Sequence, residues 1–194
     1  MRHIVKQRSR CYQGWFTVDA YEVTHDRFNG GTMSVRRELL ERGDSVGVLL
    51  IDSERDTVLL LEQFRIGPMV RSDRPWLIEI VAGMVDDGES VEEAAYRESL
   101  EEAGYAPKTL RPLGAPNWYP SPGACSEQIT LFLADVDSSR PQNNQLGVQD
   151  EGEDIRRYWV SRSEAMAMVA DGRINSALPM LAMLLAFGTS GAAT

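Results

Sequence analysis

The chain has 194 residues, 43% of them hydrophobic, and a formal net charge of −9. That is enough apolar material for one ordinary mixed domain with an extension, and it excludes general disorder. The longest apolar stretch, 177–187, is interrupted by Pro179 and is about half the length a membrane-spanning helix needs, so an integral membrane protein is not expected; an acidic chain is likewise a poor general nucleic-acid binder.

In chain order, residues 3–11, 15–24 and 32–40 read as strands, the last two joined through the turn signal Asn29-Gly30-Gly31. Two further strands, 46–51 and 57–64, flank the polar turn DSERD, and a short apolar run follows at 76–82. At Ser90 the period changes. Ser90 and Glu93 form a capping-box signature for a helix from Val91 to Ala103, and Gly104 is a natural stop. Strands are expected near 109–115, 127–136 and 155–160, and helices after Ser161 and from Ser176 to Phe187, with Pro179 tolerated in a first turn. The basic start MRHIVKQRSR lacks the apolar segment of an export signal. Cys11 and Cys125 have no metal-ligand spacing, so the expected location is cytoplasmic. Without repeats or low-complexity linkers, the expected organisation is an N-terminal β extension over 1–42, a mixed α/β (α+β) domain over 43–188, and a frayed tail over 189–194.

The acid is concentrated in two places. Residues 83–105 carry eight acids against the single base Arg97, and 149–154 carry four. A solvated face predicts acids opposite the apolar stripe of a helix. On a wheel of about 100° per residue, however, Glu98 and Glu102 fall within about 20° of Val91, beside Ala94 and Ala95, with Glu101 adjacent. Carboxylates at i and i+4 repel, and more so when partly desolvated, unless a cation or a proton relieves them. Hard divalent cations are the economical solution, since magnesium takes carboxylate oxygens and keeps places for water and phosphate.

The stretch GMVDDGESVEEAAYRESLEEAGY resembles the Nudix box of the Nudix hydrolase family, with Gly83, Glu89, Arg97, Glu98, Glu101, Glu102 and Gly104 at the fixed positions. Ser99 and Tyr105 stand where aliphatics are usual. The resemblance implies a Nudix-type α/β/α sandwich with a mixed sheet and divalent metal, Mg2+ with Mn2+ as a substitute, held by Glu98, Glu102 and the Ala82 carbonyl. Glu101 would be a further ligand or a contact to metal-bound water. Gly83 would allow a close backbone approach, and Arg97 would hold Glu89 or another box carboxylate. The implied reaction is hydrolysis of a nucleoside diphosphate linked to another group.

Over about residues 12–185 the chain is similar to the ADP-ribose pyrophosphatase subgroup, through RRELLERG, LLEQFRIG, WLIEIVAG, YPSPGACSE and EGEDI. Pro120 and Pro122 straddle the place of the proline typical of that subgroup. By this resemblance Arg65 contacts the diphosphate, Glu79 holds the nucleoside side, Trp15 or Phe16 stacks on adenine, and Gly123 belongs to the substrate loop. Arg36 or Arg37 would reach the nucleotide of a second subunit in a homodimer. Glu151 would be the general base and Glu153 an extra metal contact, or the reverse. The expected activity is cleavage of ADP-ribose to AMP and ribose 5-phosphate. Cleavage of another nucleotide sugar such as GDP-mannose is the alternative, and a non-catalytic ADP-ribose sensor is disfavoured because no box glutamate is missing. No nucleic-acid or membrane partner is expected.

Overall fold

The computed structural model describes residues 1–143, 146–148 and 152–188, so the expected frayed tail lies outside the described residues. The chain divides into two compact units, Met1–Asp44 with Tyr119–Gln128, and Ser45–Trp118 with Ile129–Thr194. The first unit therefore runs two residues past the expected extension and takes in the loop around the SPG segment.

In the first unit, β1 (His3–Gln13), β2 (Thr17–Asp26) and β3 (Thr32–Glu41) form an antiparallel sheet in that order. Gly30 and Gly31 turn the β2–β3 hairpin with φ of 89° and 76°, the left-handed region where a side chain would be strained. Asp19 on β2 is buried and accepts hydrogen bonds from Arg8 and Arg10 of β1, which hold its carboxyl below the usual range. Loop 119–128 is laced to β3: the Leu40 amide donates to the Ala124 carbonyl at 2.8 Å and the Ser126 amide to the Leu40 carbonyl at 3.1 Å.

The second unit is a seven-stranded mixed sheet of β4 (Ser45–Asp52), β5 (Thr57–Phe64), β6 (Trp76–Glu79), β7 (Val81–Met84), β8 (Thr109–Pro112), β9 (Ile129–Asp135) and β10 (Ile155–Ser161). The path runs β10-β5-β4-β9-β8, with β6 beside β5 and β7 beside β4; β4 and β9 are parallel and the other pairs antiparallel. The inner strands are apolar on both faces, as strands covered on two sides must be. Val46, Val48, Leu50, Leu59, Leu61 and Phe132 pack on the side of α2 (Val91–Glu101). Leu49, Val58, Leu60, Leu131 and Leu133 pack on the side of α3 (Arg162–Ala170) and α4 (Ala177–Phe187). This is the α/β/α sandwich. The four-residue helix α1 (Ile66–Met69) has too few residues to show a period in sequence.

The apolar run 76–82 is two strands, not one. It breaks at buried Ile80, so that β6 continues along β5 (Leu61 opposite Glu79) while β7 crosses to β4 (Gly47 opposite Ala82). Helix α2 starts with both hydrogen bonds of the capping box, and Gly104 ends it with φ of 72°. Ser99, at an aliphatic position of the motif, is buried and donates from Oγ to the Ala95 carbonyl at 2.6 Å, so its hydroxyl costs little there.

Candidate active site

Helix α2 packs on β4 and β7, and the contact explains two of the motif residues. A Cβ built on Gly83 would lie 1.8 Å from Oε1 and 1.9 Å from Cδ of Glu98, so only glycine leaves room for that carboxylate. One turn on, Glu102 is 1% exposed and accepts the Ala82 amide at 2.8 Å on Oε2. The two carboxylates thus face β7 side by side, as the helix wheel predicts.

Arg97 ties the acids together. Its Nε and Nη2 each donate to Glu89 at 2.9 Å, Nη1 donates to Glu98 at 2.7 Å and Glu101 at 3.1 Å, and Nη2 also reaches the Met84 carbonyl at 2.9 Å. This guanidinium holds the Glu89 carboxyl below its ordinary range. Glu98 moves the other way: burial, reinforced by Glu101 and Glu153, pushes it up to about 7 against the pull of Arg97. Glu102 is raised well above the usual value, chiefly by burial and then by repulsion from Glu98 and Glu153; the Ala82 amide and the Arg65 charge oppose this. Glu153 therefore acts on both carboxylates, and Arg65 acts on Glu102.

Arg65 Nε donates to Glu79 Oε2 at 2.7 Å. Ser176, the N-cap of α4, sends its hydroxyl to Glu79 Oε1 at 3.5 Å and makes no side-chain cap bond. Glu153 Oε2 accepts the Val148 amide at 3.0 Å. Near it, at the end of α2, the Gln142 and Asn143 amides donate to the Gly104 carbonyl at 2.8 and 3.2 Å, and the Gly147 amide to the Glu101 carbonyl at 2.8 Å. Glu151 lies outside the described residues.

The remaining candidates belong to the first unit. Trp15 is 85% exposed, while Phe16 has the Arg42 guanidinium 5.4 Å from its ring centre. Arg36 pairs with Glu38 at 3.1 Å and Arg37 donates to the Arg36 carbonyl at 2.9 Å. Gly123 sits in a turn in which the Ala124 and Cys125 amides donate to Ser121, and a Cβ there would meet nothing within 4 Å.

Among the described residues no three ligating side chains already close around one point, and Arg97 holds oxygens of Glu98 and Glu101. The fit to a hard divalent cation rests on the donor chemistry: two desolvated carboxylates one helical turn apart, with a third acid acting on both, are an unfavourable arrangement that such a cation relieves. One residue that shapes this region was not singled out from sequence. Arg157, on β10, bonds to the Ala103 and Asn143 carbonyls; the legible signal was an arginine at an inward-facing position between Ile155 and Trp159.

A glutamate-bearing helix laid on one face of a mixed-sheet sandwich defines a class, and the chain belongs to it: it is a member of the Nudix hydrolase family, whose NUDIX domain profile matches residues 41–181. It is similar to the ADP-ribose pyrophosphatase of Escherichia coli (strain K12), 41% identical over 177 residues that cover 91% of this chain and 83% of that protein. It is also similar to the ADP-ribose pyrophosphatase of Haemophilus influenzae, 37% identical over 89% of this chain and 80% of that protein. The GDP-mannose pyrophosphatase of Pectobacterium atrosepticum is 39% identical over 82% of this chain and 81% of its own length. A crystal structure of ADP compounds hydrolase shares the fold, with a TM-score of 0.73 over 96% of this chain and 92% of that one at 22% identity.

Proposed function

We propose that the chain hydrolyses the diphosphate of ADP-ribose to AMP and ribose 5-phosphate. The observation that carries this reading is the Glu98–Glu102 pair, set against Gly83 and Ala82, with Glu153 acting on both carboxylates and Arg65 on Glu102. The two ADP-ribose pyrophosphatases above, similar over most of their length, support the substrate.

Glu98, Glu102 and the Ala82 carbonyl would hold the divalent cation, magnesium with manganese as a substitute, and Glu101 and Glu153 would contact it or its waters. Bound there, the cation supplies neutralisation of diphosphate charge and an acidified water. The chain's own residues do the rest. Arg97 fixes Glu89, Glu98 and Glu101 in place. Arg65, oriented by Glu79, offers its remaining guanidinium N–H groups to the diphosphate, a pairing suited to arginine's planar fork. Glu151 takes the proton of the attacking water, and Glu153 braces the site.

The N-terminal unit would bind the nucleoside, with Trp15 or Phe16 on adenine, Arg36 or Arg37 on the nucleotide of a second copy, and Gly123 in the substrate loop. The homodimer is supported by β1, an edge strand exposed along its whole length, Ile4, Val5 and Tyr12 included; an open edge of this kind is what a partner covers. No described helix is long and apolar enough to cross a membrane, and a cytoplasmic location is the reading consistent with two unpaired cysteines.

A second reading, cleavage of GDP-mannose, is favoured by the similarity to the Pectobacterium protein. The test is a substrate panel of ADP-ribose, GDP-mannose, diadenosine polyphosphates and NADH with magnesium, scored by product identity. AMP and ribose 5-phosphate at the highest kcat/KM are expected; GDP-mannose turned over best would select the second reading.

A further inference from the structure

Tyr105 departs from the family motif, and Arg157 belongs to no motif; the structure joins the two. Ile155 and Trp159 of β10 pack into the core beneath α2, so the residue between them, Arg157, shares that face. Its guanidinium carbon lies 5.1 Å from the centre of the Tyr105 ring, and the same ring meets Trp159 edge-on with centroids 5.5 Å apart. The Tyr105 hydroxyl donates to the Ser138 carbonyl at 3.0 Å and accepts Trp159 Nε1 at 3.2 Å, so the platform cannot turn away.

From this platform Arg157 Nη1 donates to the Ala103 carbonyl and, at 2.9 Å, to the Asn143 carbonyl. Ala103 lies two residues past α2, where the carbonyls carry the partial negative charge of a helix C-terminus. That turn holds Glu98, Glu101 and Glu102; Arg97 of the same helix pairs with the Glu98 and Glu101 carboxylates, whereas the Ala103 backbone carbonyl takes its cation from another element. The neighbouring carbonyls of Glu101 and Gly104 are taken by loop amides, those of Gly147, Gln142 and Asn143. Gly147 in turn abuts Glu153, since a Cβ on it would lie 2.8 Å from Glu153 Cβ. The same closeness explains Gly104, where a Cβ would lie 2.0 Å from the Asn143 carbonyl oxygen and 2.4 Å from Arg157 Nη1.

We propose that Arg157 is a positioning residue: by bridging the Ala103 and Asn143 carbonyls above the Tyr105 ring, it holds Asn143, and with it the Gly147 and Val148 that brace Glu153, against the acidic end of α2. Its kinetic consequence rests on the hydrolase reading above; its structural consequence does not. Arg157→Met keeps the stem and loses both bonds. Arg157→Lys can donate twice from one nitrogen but lacks the plane that lies on Tyr105.

The experiment compares the full-length wild type with both variants by amide hydrogen exchange without metal, and by steady-state kinetics with ADP-ribose and magnesium. In Arg157→Met the Gln142, Asn143 and Gly147 amides should exchange at least about tenfold faster while β4 and β9 amides keep their protection, because only the docked loop is released. Its kcat should fall by about 10- to 100-fold with KM within about twofold, and Arg157→Lys should lie between. Loop amides as protected as in wild type, or KM raised with kcat unchanged, would overturn the proposal. If Arg157→Met loses β4 and β9 protection, Arg157→Lys carries the same comparison. If the wild type leaves ADP-ribose intact, that failure belongs to the functional reading, and the exchange result alone decides on the clamp.

Discussion

Replacing Gly83 with alanine adds one methyl group at the most crowded point of the site. The new Cβ would lie 1.8 Å from Glu98 Oε1 and 1.9 Å from its Cδ. Ordinary contact is about 3.5 Å, so the carboxylate must retreat by about 1.5 Å. Glu98 is the flexible partner, and Gly83 lies outside the left-handed region, so the backbone can stay where it is. The variant should therefore fold, with a modest net loss of stability. Loss of the 2.7 Å Arg97–Glu98 bond costs about 1.5–3 kcal/mol, and the reduced entropy of the unfolded chain returns about 0.4–1 kcal/mol. Catalysis should suffer far more, since misplacing a catalytic group by about 1 Å costs on the order of 10²-fold. The assay is kcat/KM for ADP-ribose at saturating magnesium, alongside a denaturant melt. A folded Gly83→Ala protein within about threefold of wild-type activity would refute the reasoning, because it would mean that the position of Glu98 does not matter.

Three further outcomes follow from the same geometry. The raised Glu98 and Glu102 carboxyls keep protons in the folded state that the unfolded chain releases from pH 4.5 upward, so the metal-free protein should lose stability as pH rises through about 7; urea midpoints with chelator at about pH 5 and pH 8 check the sign, and magnesium should reduce the loss. Glu151→Gln should lower kcat by about 10² to 10⁴ with metal dependence unchanged, whereas the defect of Glu153→Gln should shrink as magnesium is raised; kinetics across a magnesium series separate the two, and the opposite pattern exchanges their roles. Removal of residues 1–30, which takes away β1 and β2 entirely, should give a monomer with a raised KM; sedimentation and kinetics together test this, and a monomer with unchanged KM would show the extension dispensable for substrate.

The second unit was the more legible part of the fold. Its strands carry apolar side chains on both faces, and the capping box of Ser90 and Glu93 marks the start of α2 to the residue. The placement of Glu98 and Glu102 beside Ala94 and Ala95 follows from helical period alone, and burial of Ala94, Ala95 and Glu102 agrees with it. Long-range choices were not legible. The break at Ile80 depends on which neighbour each half of the run finds, and local sequence carries no record of β5 against β4. The assignment of loop 119–128 to the N-terminal unit rests on long-range partners, backbone bonds to Leu40, the Ser126 hydroxyl on Glu41 and the Arg42–Glu127 ion pair, that no local sequence pattern records. Tyr105 read as a departure from a packing position because its partner, Arg157, lies far along the chain on another strand.

The central claim is that the acids on α2 hold the metal for ADP-ribose hydrolysis, and Glu102→Gln tests it most directly. The substitution keeps the shape and leaves an oxygen to accept the Ala82 amide, while removing a buried charge that Glu98 and Glu153 repel. ADP-ribose should be incubated with wild type and variant across a magnesium titration, with AMP and ribose 5-phosphate separated and quantified. The account predicts magnesium-dependent formation of both products by wild type, and at least about 100-fold lower turnover by a variant as resistant to denaturant as wild type in chelator or more so. Wild-type turnover by folded Glu102→Gln at saturating magnesium would contradict it.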